Sequence, residues 1–298
     1  MPSPFAARDL FDAEFLAAVK RLHIVARRVE RGGRFAEQRS KDLGGGIEFR
    51  DFRPYSPGDD FRSIDWNIYR RLGRVFLRLF EELEDLPLYL APDVSASAFL
   101  EEPPRAKAGL RCALALAAIS LNQHDSVGLM PFSNQLDVVL RPQSGKGRVM
   151  RFAEHLAALE PGSATDFGKS FGRLNALNLR RGLLVVISDF FDPAGLDAVI
   201  TALSRVRHRL LLVQLVRPQD RDPDMGGDLR LLDCETGTAE DVSVTSEVLG
   251  RYRAAYDRFQ DGLAAFARQR GAGLLRLDVT QPVVPQLSSL FESGSYAL

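Results

Sequence analysis

Five oxygen-bearing side chains fall where an α/β chain can bring them together. Asp93, Ser95 and Ser97 form an Asp-x-Ser-x-Ser run directly after the apolar stretch 86–92. Thr165 follows Pro161-Gly162 in a loop, and Asp189 closes the apolar stretch 182–188. Carboxylates and hydroxyls are hard donors. Few charges, neutral oxygens and room for water suit Mg2+, which takes octahedral oxygen ligands at roughly 2.0–2.1 Å. Mn2+ and Ca2+ accept the same kind of donor. The set contains neither His nor Cys, which argues against zinc and copper. Asp and Ser are also ordinary turn and capping residues, so the run alone leaves a plain loop open. Thr165 and Asp189, each beside the right kind of element, strengthen the metal reading. Asp166 is expected to serve as an acceptor behind the ion, holding one of its donors in place.

The elements around these residues follow from periodicity. Leu10, Phe11, Phe15, Val19, Leu22, Val25 and Val29 predict a helix over 8–31, ended by Gly32-Gly33. Strands are expected at 47–55 and 74–80, separated by the turn signal Pro57-Gly58-Asp59-Asp60. From Leu86 short apolar runs alternate with amphipathic ones. Strands are predicted at 86–92, 126–132, 135–140, 182–188 and 209–216, and helices at 104–122, 146–159, 166–178 and 194–206. That alternation predicts a mostly parallel sheet with helices on both faces. The pair joined by Ser133-Asn134 supplies one antiparallel edge. Beyond a Pro/Asp/Gly-rich loop at 217–228, a hairpin (229–233 with 241–244), a helix (246–270), a strand (273–278) and a last helix (283–291) complete the chain. Three regions are therefore expected: an N-terminal arm 1–85, an α/β domain 86–216, and an extension 217–298. In an open parallel sheet ligands bind beyond the carboxyl ends of the strands, where strand order reverses, and all five oxygen donors belong there.

The bulk numbers exclude several classes. With 298 residues, 45% of them apolar and 26% charged, the chain has the composition of a globular protein. Thirty-nine basic residues balance 39 acidic ones, so no overall field favours nucleic acid or membrane. Cys112 and Cys234 are too few and too far apart for a disulfide framework, which suits a reducing compartment. Asp9, Asp12 and Glu14 break up any secretory leader, and no run reaches the roughly 18 apolar residues of a membrane helix. A cytoplasmic location is the expectation.

Taken together the motifs carry a resemblance. Residues 86–216 resemble a von Willebrand factor A domain, and Asp93, Ser95, Ser97, Thr165 and Asp189 match its metal-ion-dependent adhesion site. Gly46-Ile47-Glu48-Phe49, Arg53-Pro54-Tyr55, Pro57-Gly58-Asp59-Asp60, Arg62 and Ile64-Asp65-Trp66 resemble the hallmark of the bacterial "domain of unknown function 58". Val127-Gly128-Leu129, Ile187-Ser188-Asp189-Phe190 and the stretch from Asp233 to Gly237 match it too. The resemblance implies a Rossmann-like fold with strand order 3-2-1-4-5-6, the strands ending in Asp93 and Asp189 side by side. It implies a non-enzymatic adaptor that binds a partner protein through an acidic residue completing the ion's shell. A MoxR-type AAA+ ATPase is the partner it points to, in chaperone-like or assembly work. Two departures stand out. Ala98 replaces a common Met, and Pro92 stands where a strand-like residue is usual, which is expected to shift the loop.

Other segments carry competing readings. Asp59, Asp60, Arg62, Asp65 and Trp66 form a possible partner surface, or an interdomain one in which Trp66 buries its ring. Gly162 to Ser170 falls one residue outside P-loop spacing and lacks the preceding strand, so no nucleotide hydrolysis is expected. Eight Lys/Arg within 20–41, against Glu30 and Glu37, keep a nucleic-acid module as an alternative. A metal-assisted hydrolase using the same oxygens is the other alternative, although no general base stands beside them in the sequence.

Overall fold

The computed structural model describes residues 5, 10–32, 47–56, 61, 64–82, 87–100, 102–123, 125–235 and 237–292. The chain forms two compact units, Met1–Arg31 with Leu86–Leu298, and Gly32–Asp85. The first helix therefore belongs to the larger unit rather than to the arm. Its apolar stripe explains this: Leu10, Phe11, Phe15, Val19 and Leu22 are buried in the same core as the helix over 105–122. Arg111 of that helix donates through Nε to the Leu10 carbonyl at 2.7 Å.

In the smaller unit, strands β1 (Ile47–Pro54) and β2 (Phe76–Glu82) pair antiparallel, with an irregularity between Phe49 and Asp51. Helix α2 (Trp66–Leu72) lies between them in sequence, α1 being Ala13–Gly32. Asp65 caps α2 by accepting from the Asn67 and Ile68 amides at 2.8 and 3.1 Å. Gly73, at φ +63°, ends it in the left-handed conformation that glycine adopts without steric cost.

The larger unit is built on six strands: β3 (Leu88–Pro92), β4 (Val127–Leu129), β5 (Leu140–Gln143), β6 (Leu183–Ser188), β7 (Arg209–Val216) and β10 (Gly273–Asp278). Their spatial order is β10-β7-β6-β3-β4-β5. All neighbours are parallel except β4 and β5. Counted within this sheet and read from the far edge, the order is the 3-2-1-4-5-6 type, with β3 and β6 adjacent. The antiparallel edge strand begins later than its apolar pattern suggests, at 140 rather than 135. Phe132 bridges Leu136 on the way, and Pro131, which has no N–H to donate, interrupts the ladder.

Two apolar layers cover the sheet. On one face Leu88, Leu90, Val185, Ile187 and Val213 pack with α1, α3 (Arg105–Asn122), α4 (Val149–Ala157) and α9 (Val283–Glu292). On the other, Tyr89, Ala91, Leu184, Val186 and Leu212 pack with α5 (Phe167–Ala176), α6 (Leu196–Ser204) and α8 (Ser246–Arg270). Helix α3 is buried along almost its whole length, and Gly109 lets it approach Leu215 and Ile187. A short helix α7 (Pro218–Arg221) and the hairpin β8 (Gly227–Leu232) with β9 (Ala239–Val244) complete the unit. Among the described residues no helix is long and apolar enough to cross a membrane.

Both faces of β3 and β6 are apolar, so their ends are fixed in position. A one-residue slip would draw Asp93 or Asp189 into the hydrocarbon layer, and an unpaired charge there costs on the order of several kcal/mol.

Candidate metal centre

The chain turns from β3 outward to β4 and β5, then crosses back to β6 on the other side. The reversal lies between β3 and β6, and the candidate residues gather at the carboxyl ends of those two strands. Pro92 does not disturb the end of β3. It pairs with Ile187, its carbonyl accepts from the Phe132 amide at 3.0 Å, and the Asp93 amide donates to Ile187 O at 2.8 Å.

Asp93 is buried, with 6% of its surface exposed. Its Oδ1 accepts from the Ser95 amide at 2.9 Å and its Oδ2 from Ser188 Oγ at 2.6 Å. Ser188 Oγ in turn accepts from the Phe190 amide at 2.9 Å. The carboxylate is thus oriented from both sides before any ligand arrives. Ser95 is buried, and the 3-10 turn Ser97–Phe99 brings Ser97 back so that the two hydroxyl oxygens lie 3.1 Å apart.

Thr165 is buried on a loop strapped to this turn. The Gly162 amide donates to Val94 O at 2.6 Å, Ala96 N to Ser163 O at 3.4 Å, and Asp166 N to Ser133 O at 3.0 Å. Gly162 is required by space. A Cβ there would run into Ser133 Oγ and would lie 2.8 Å from Ser133 Cβ and 3.2 Å from Val94 O. Gly162→Ala is therefore expected to destabilise the protein by about 1–3 kcal/mol through overpacking, read as a lowered thermal midpoint. An unchanged midpoint would mean that the strap is not tight.

Asp189 stands at the end of β6. Its Oδ1 accepts from the Phe191 amide at 3.0 Å, and Arg105 Nε approaches its Oδ2 at 3.7 Å. Arg105 also pairs with Asp220. Between Asp189 and Phe191 the chain turns through Phe190 at φ +65°, an uncommon conformation for a bulky residue. The Phe190 ring pins the turn, buried in the apolar layer and 5.9 Å from the Phe167 ring.

The electrostatics follow from this packing. Burial raises the Asp93 carboxyl above the usual carboxylate range, against hydrogen bonds from Ser188 and Ser95, and Glu235 adds to the rise. Burial first, and then the charge of Asp93, push Asp189 up to about 7, with Arg105 pulling the other way. Among the described residues no three His, Cys, Asp or Glu side chains form a group that could hold a metal ion. The centre offers two carboxylates with hydroxyls around them, and that donor chemistry fits a hard cation such as Mg2+.

Four side chains of this neighbourhood have roles that the sequence does not predict. Ser188 orients Asp93, Arg105 and Asp220 form the ion pair beside Asp189, and Glu235 Oε1 accepts from Ser97 Oγ at 2.8 Å. Ser188 could have been found from its place beside Asp189. Arg105 and Glu235 come from distant segments, and no spacing rule would have found them. Asp166 acts differently from expectation. Its carboxylate caps α5 at the Lys169 amide, 2.8 Å, and pairs with Lys169 Nζ at 2.9 Å. Asp192, rather than Asp166, takes the Phe167 amide at 2.8 Å.

Of the second expected surface, Asp59, Asp60 and Arg62 lie outside the described residues. Asp65 is occupied by the α2 cap. Trp66 is 59% exposed and sits edge-on to Tyr69 of its own unit. The seven-residue α2 buries none of its residues.

Known proteins are similar to this chain in sequence, and some solved structures are similar to part of it. The family profile described as "Protein of unknown function DUF58" matches residues 51–261. Uncharacterized protein Rv1480 of Mycobacterium tuberculosis is 26% identical over 282 residues, covering 93% of this chain and 88% of the relative. Among solved structures, conserved hypothetical protein BatB from Bacteroides thetaiotaomicron shares 15% identity with a TM-score of 0.40, covering 70% of this chain and 98% of that one. An aerotolerance-related membrane protein from Bacteroides fragilis shares 16% identity with a TM-score of 0.43, with the same coverage.

Proposed function

This chain belongs to the DUF58 family of proteins of unknown function, and from that starting point we propose that its six-stranded unit is a von Willebrand factor A-like domain that binds a partner protein through one divalent cation. Asp93, Ser95, Ser97, Thr165 and Asp189 would hold the ion, Mg2+ by preference, and a carboxylate of the partner would complete its shell. The observation that carries this reading is the pairing of the buried Asp93 carboxyl with the half-buried Asp189 carboxyl, at the ends of adjacent parallel strands, with hydroxyls packed beside one of them. Such a pair is unfavourable alone and favourable around a cation. The ion would supply a Lewis-acidic anchor for an incoming carboxylate, and Ser188 and the Ser95 amide would hold Asp93 in place for it.

The resemblance in sequence supports a MoxR-type AAA+ ATPase as the partner, with a chaperone-like or assembly role. Cys112 and Cys234 carry no disulfide, which suits a reducing, cytoplasmic setting. A hydrolase reading gains little from the raised Asp189. In this site Asp189 is itself a donor to the ion, and a bound cation returns it to the charged form and leaves no base free. Of the basic segment 20–41, residues 20–32 lie on α1 and residues 33–41 lie outside the described residues, and no observation favours a nucleic-acid reading.

A pull-down from the source cell's lysate tests the proposal, run with Mg2+, with EDTA, and with Asp93→Ala as control. An AAA+ ATPase captured only with Mg2+ and intact Asp93 is the expected result. Capture indifferent to both would move the partner surface elsewhere.

A further inference from the structure

The two ends of the central sheet carry opposite charge. At the carboxyl ends of β6, β7 and β10 stand Asp189, Asp220 a few residues past β7, and Asp278. The amino ends are basic. Arg181 leads into β6, Arg205, Arg207 and Arg209 lead into β7, and Arg268 and Arg270 close α8 before β10, all of them exposed. No Asp or Glu occurs in 167–188, 198–219 or 262–277. Among the described residues none of these guanidinium groups pairs with a carboxylate.

Short-range contacts hold the three segments together. Arg209 lies opposite Leu183 in the ladder, and its amide donates to Gly182 O at 3.0 Å. The Gly182 amide donates to His208 Nδ1 at 3.2 Å. Arg270 donates through one guanidinium nitrogen to Val206 O at 2.6 Å, which fastens the end of α8 to the segment before β7. The positive field reaches inward. His208, its ring 4.7 Å from that of Tyr89, is held below the ordinary imidazole range by burial and then by the charge of Arg181. Like charges gathered on one surface repel one another, and that repulsion opposes the fold. A counter-charge brought by another molecule removes it.

We propose that this basic end of the sheet docks an acidic segment of a second protein, separately from the candidate cation site at the opposite end. Three features choose that occupant. Guanidinium forks match carboxylates through two parallel hydrogen bonds. Neighbouring strands lie about 4.8 Å apart and a helix is about 10 Å wide, so the surface spans on the order of 15 Å, the length of four or five extended residues. Among the described residues none of the exposed large apolar side chains lies on these segments. The surface therefore offers neither an aromatic platform for unpaired bases nor an apolar anchor for a bilayer.

The test uses the full chain and a fluorescein-labelled poly-glutamate peptide, read by anisotropy in EDTA and again in Mg2+ at equal ionic strength. Wild type is expected to bind the peptide equally in both, and more weakly as salt is added. Arg205→Glu with Arg207→Glu, and Arg268→Glu alone, are each expected to weaken binding about tenfold or more, because a like charge then faces the peptide. Arg141→Glu with Arg151→Glu, at exposed positions of β5 and α4, changes net charge as much as the first pair and is expected to leave binding unchanged. Thermal midpoints check that each variant folds. A DNA duplex and phosphatidylserine vesicles replace the peptide in parallel arms. Equal loss in the Arg141/Arg151 variant would reduce the effect to net charge and overturn the inference. So would failure of wild type to bind the peptide in low salt, or tighter binding of duplex or vesicles through the same arginines. Binding that requires Mg2+ would move the peptide to the cation site and overturn this inference while supporting that one.

Discussion

Asp93→Asn is expected to lower affinity for Mn2+ or Mg2+ by about a hundredfold or more, with the fold retained. Asparagine keeps the shape of the side chain. Its oxygen can still accept from the Ser95 amide, and its NH2 can donate to Ser188 Oγ, so the two hydrogen bonds that orient Asp93 have counterparts. What is lost is a buried negative charge at the centre of the donor set. Asp93→Ala removes the charge and both acceptors. It leaves the Ser95 amide and the Ser188 hydroxyl to find water, at a cost of about 1–3 kcal/mol for each group left unsatisfied. The pair of variants therefore separates charge from hydrogen bonding. Both should lose the ion in a calorimetric titration, and only the alanine variant should show a clearly lower thermal midpoint. Wild-type affinity in Asp93→Asn would exclude Asp93 as an ion-binding carboxylate.

Without a divalent ion, the protein is expected to lose stability as pH rises from 5 to 8. The cause is Asp189, whose carboxyl is raised from 3.8 to about 7 in the folded chain. Between those values the folded state holds a proton that the unfolded state has released. Stability therefore falls with rising pH through that window and levels off above it. Every tenfold difference in proton affinity between the folded and unfolded states corresponds to roughly 1.4 kcal/mol, so the loss is on the order of a few kcal/mol. Asp93 is raised in the same direction, mainly by burial, and adds to the slope. A cation reverses the sign of the problem. Added Mg2+ should raise the thermal midpoint strongly at pH 8, with a stabilisation of about 2.7 kcal/mol at a hundred times its dissociation constant. At pH 5 protons hold the carboxyls, and the effect should be small. Because other groups titrate in the same range, the decisive comparison is with Asp189→Asn in EDTA. That variant should lose most of the slope, and a slope equal to wild type would remove Asp189 as its cause.

Much of this was legible in the sequence by itself. The strands at 209–216 and 273–278 and the helix at 246–270 have the predicted bounds, because their periods are carried entirely by local residues. The alternation of strands and helices predicted a mostly parallel sheet, a feature that depends on which side chains can be buried at a given period, and a sequence displays that directly. That the strands before Asp93 and Asp189 would be neighbours was implied by the resemblance rather than by the periodicity. Only the tertiary structure decided the rest. It joined α1 to the larger unit, because an amphipathic stripe does not name the surface that will cover it. It gave Asp166 to a helix cap and left Trp66 exposed, since a side chain's partner depends on what arrives from elsewhere. Above all it set Arg105 beside Asp189 and Glu235 on Ser97, contacts that cross long stretches of chain. Local pattern encodes burial and strand ends, whereas contacts between distant side chains exist only once packing has set the distances.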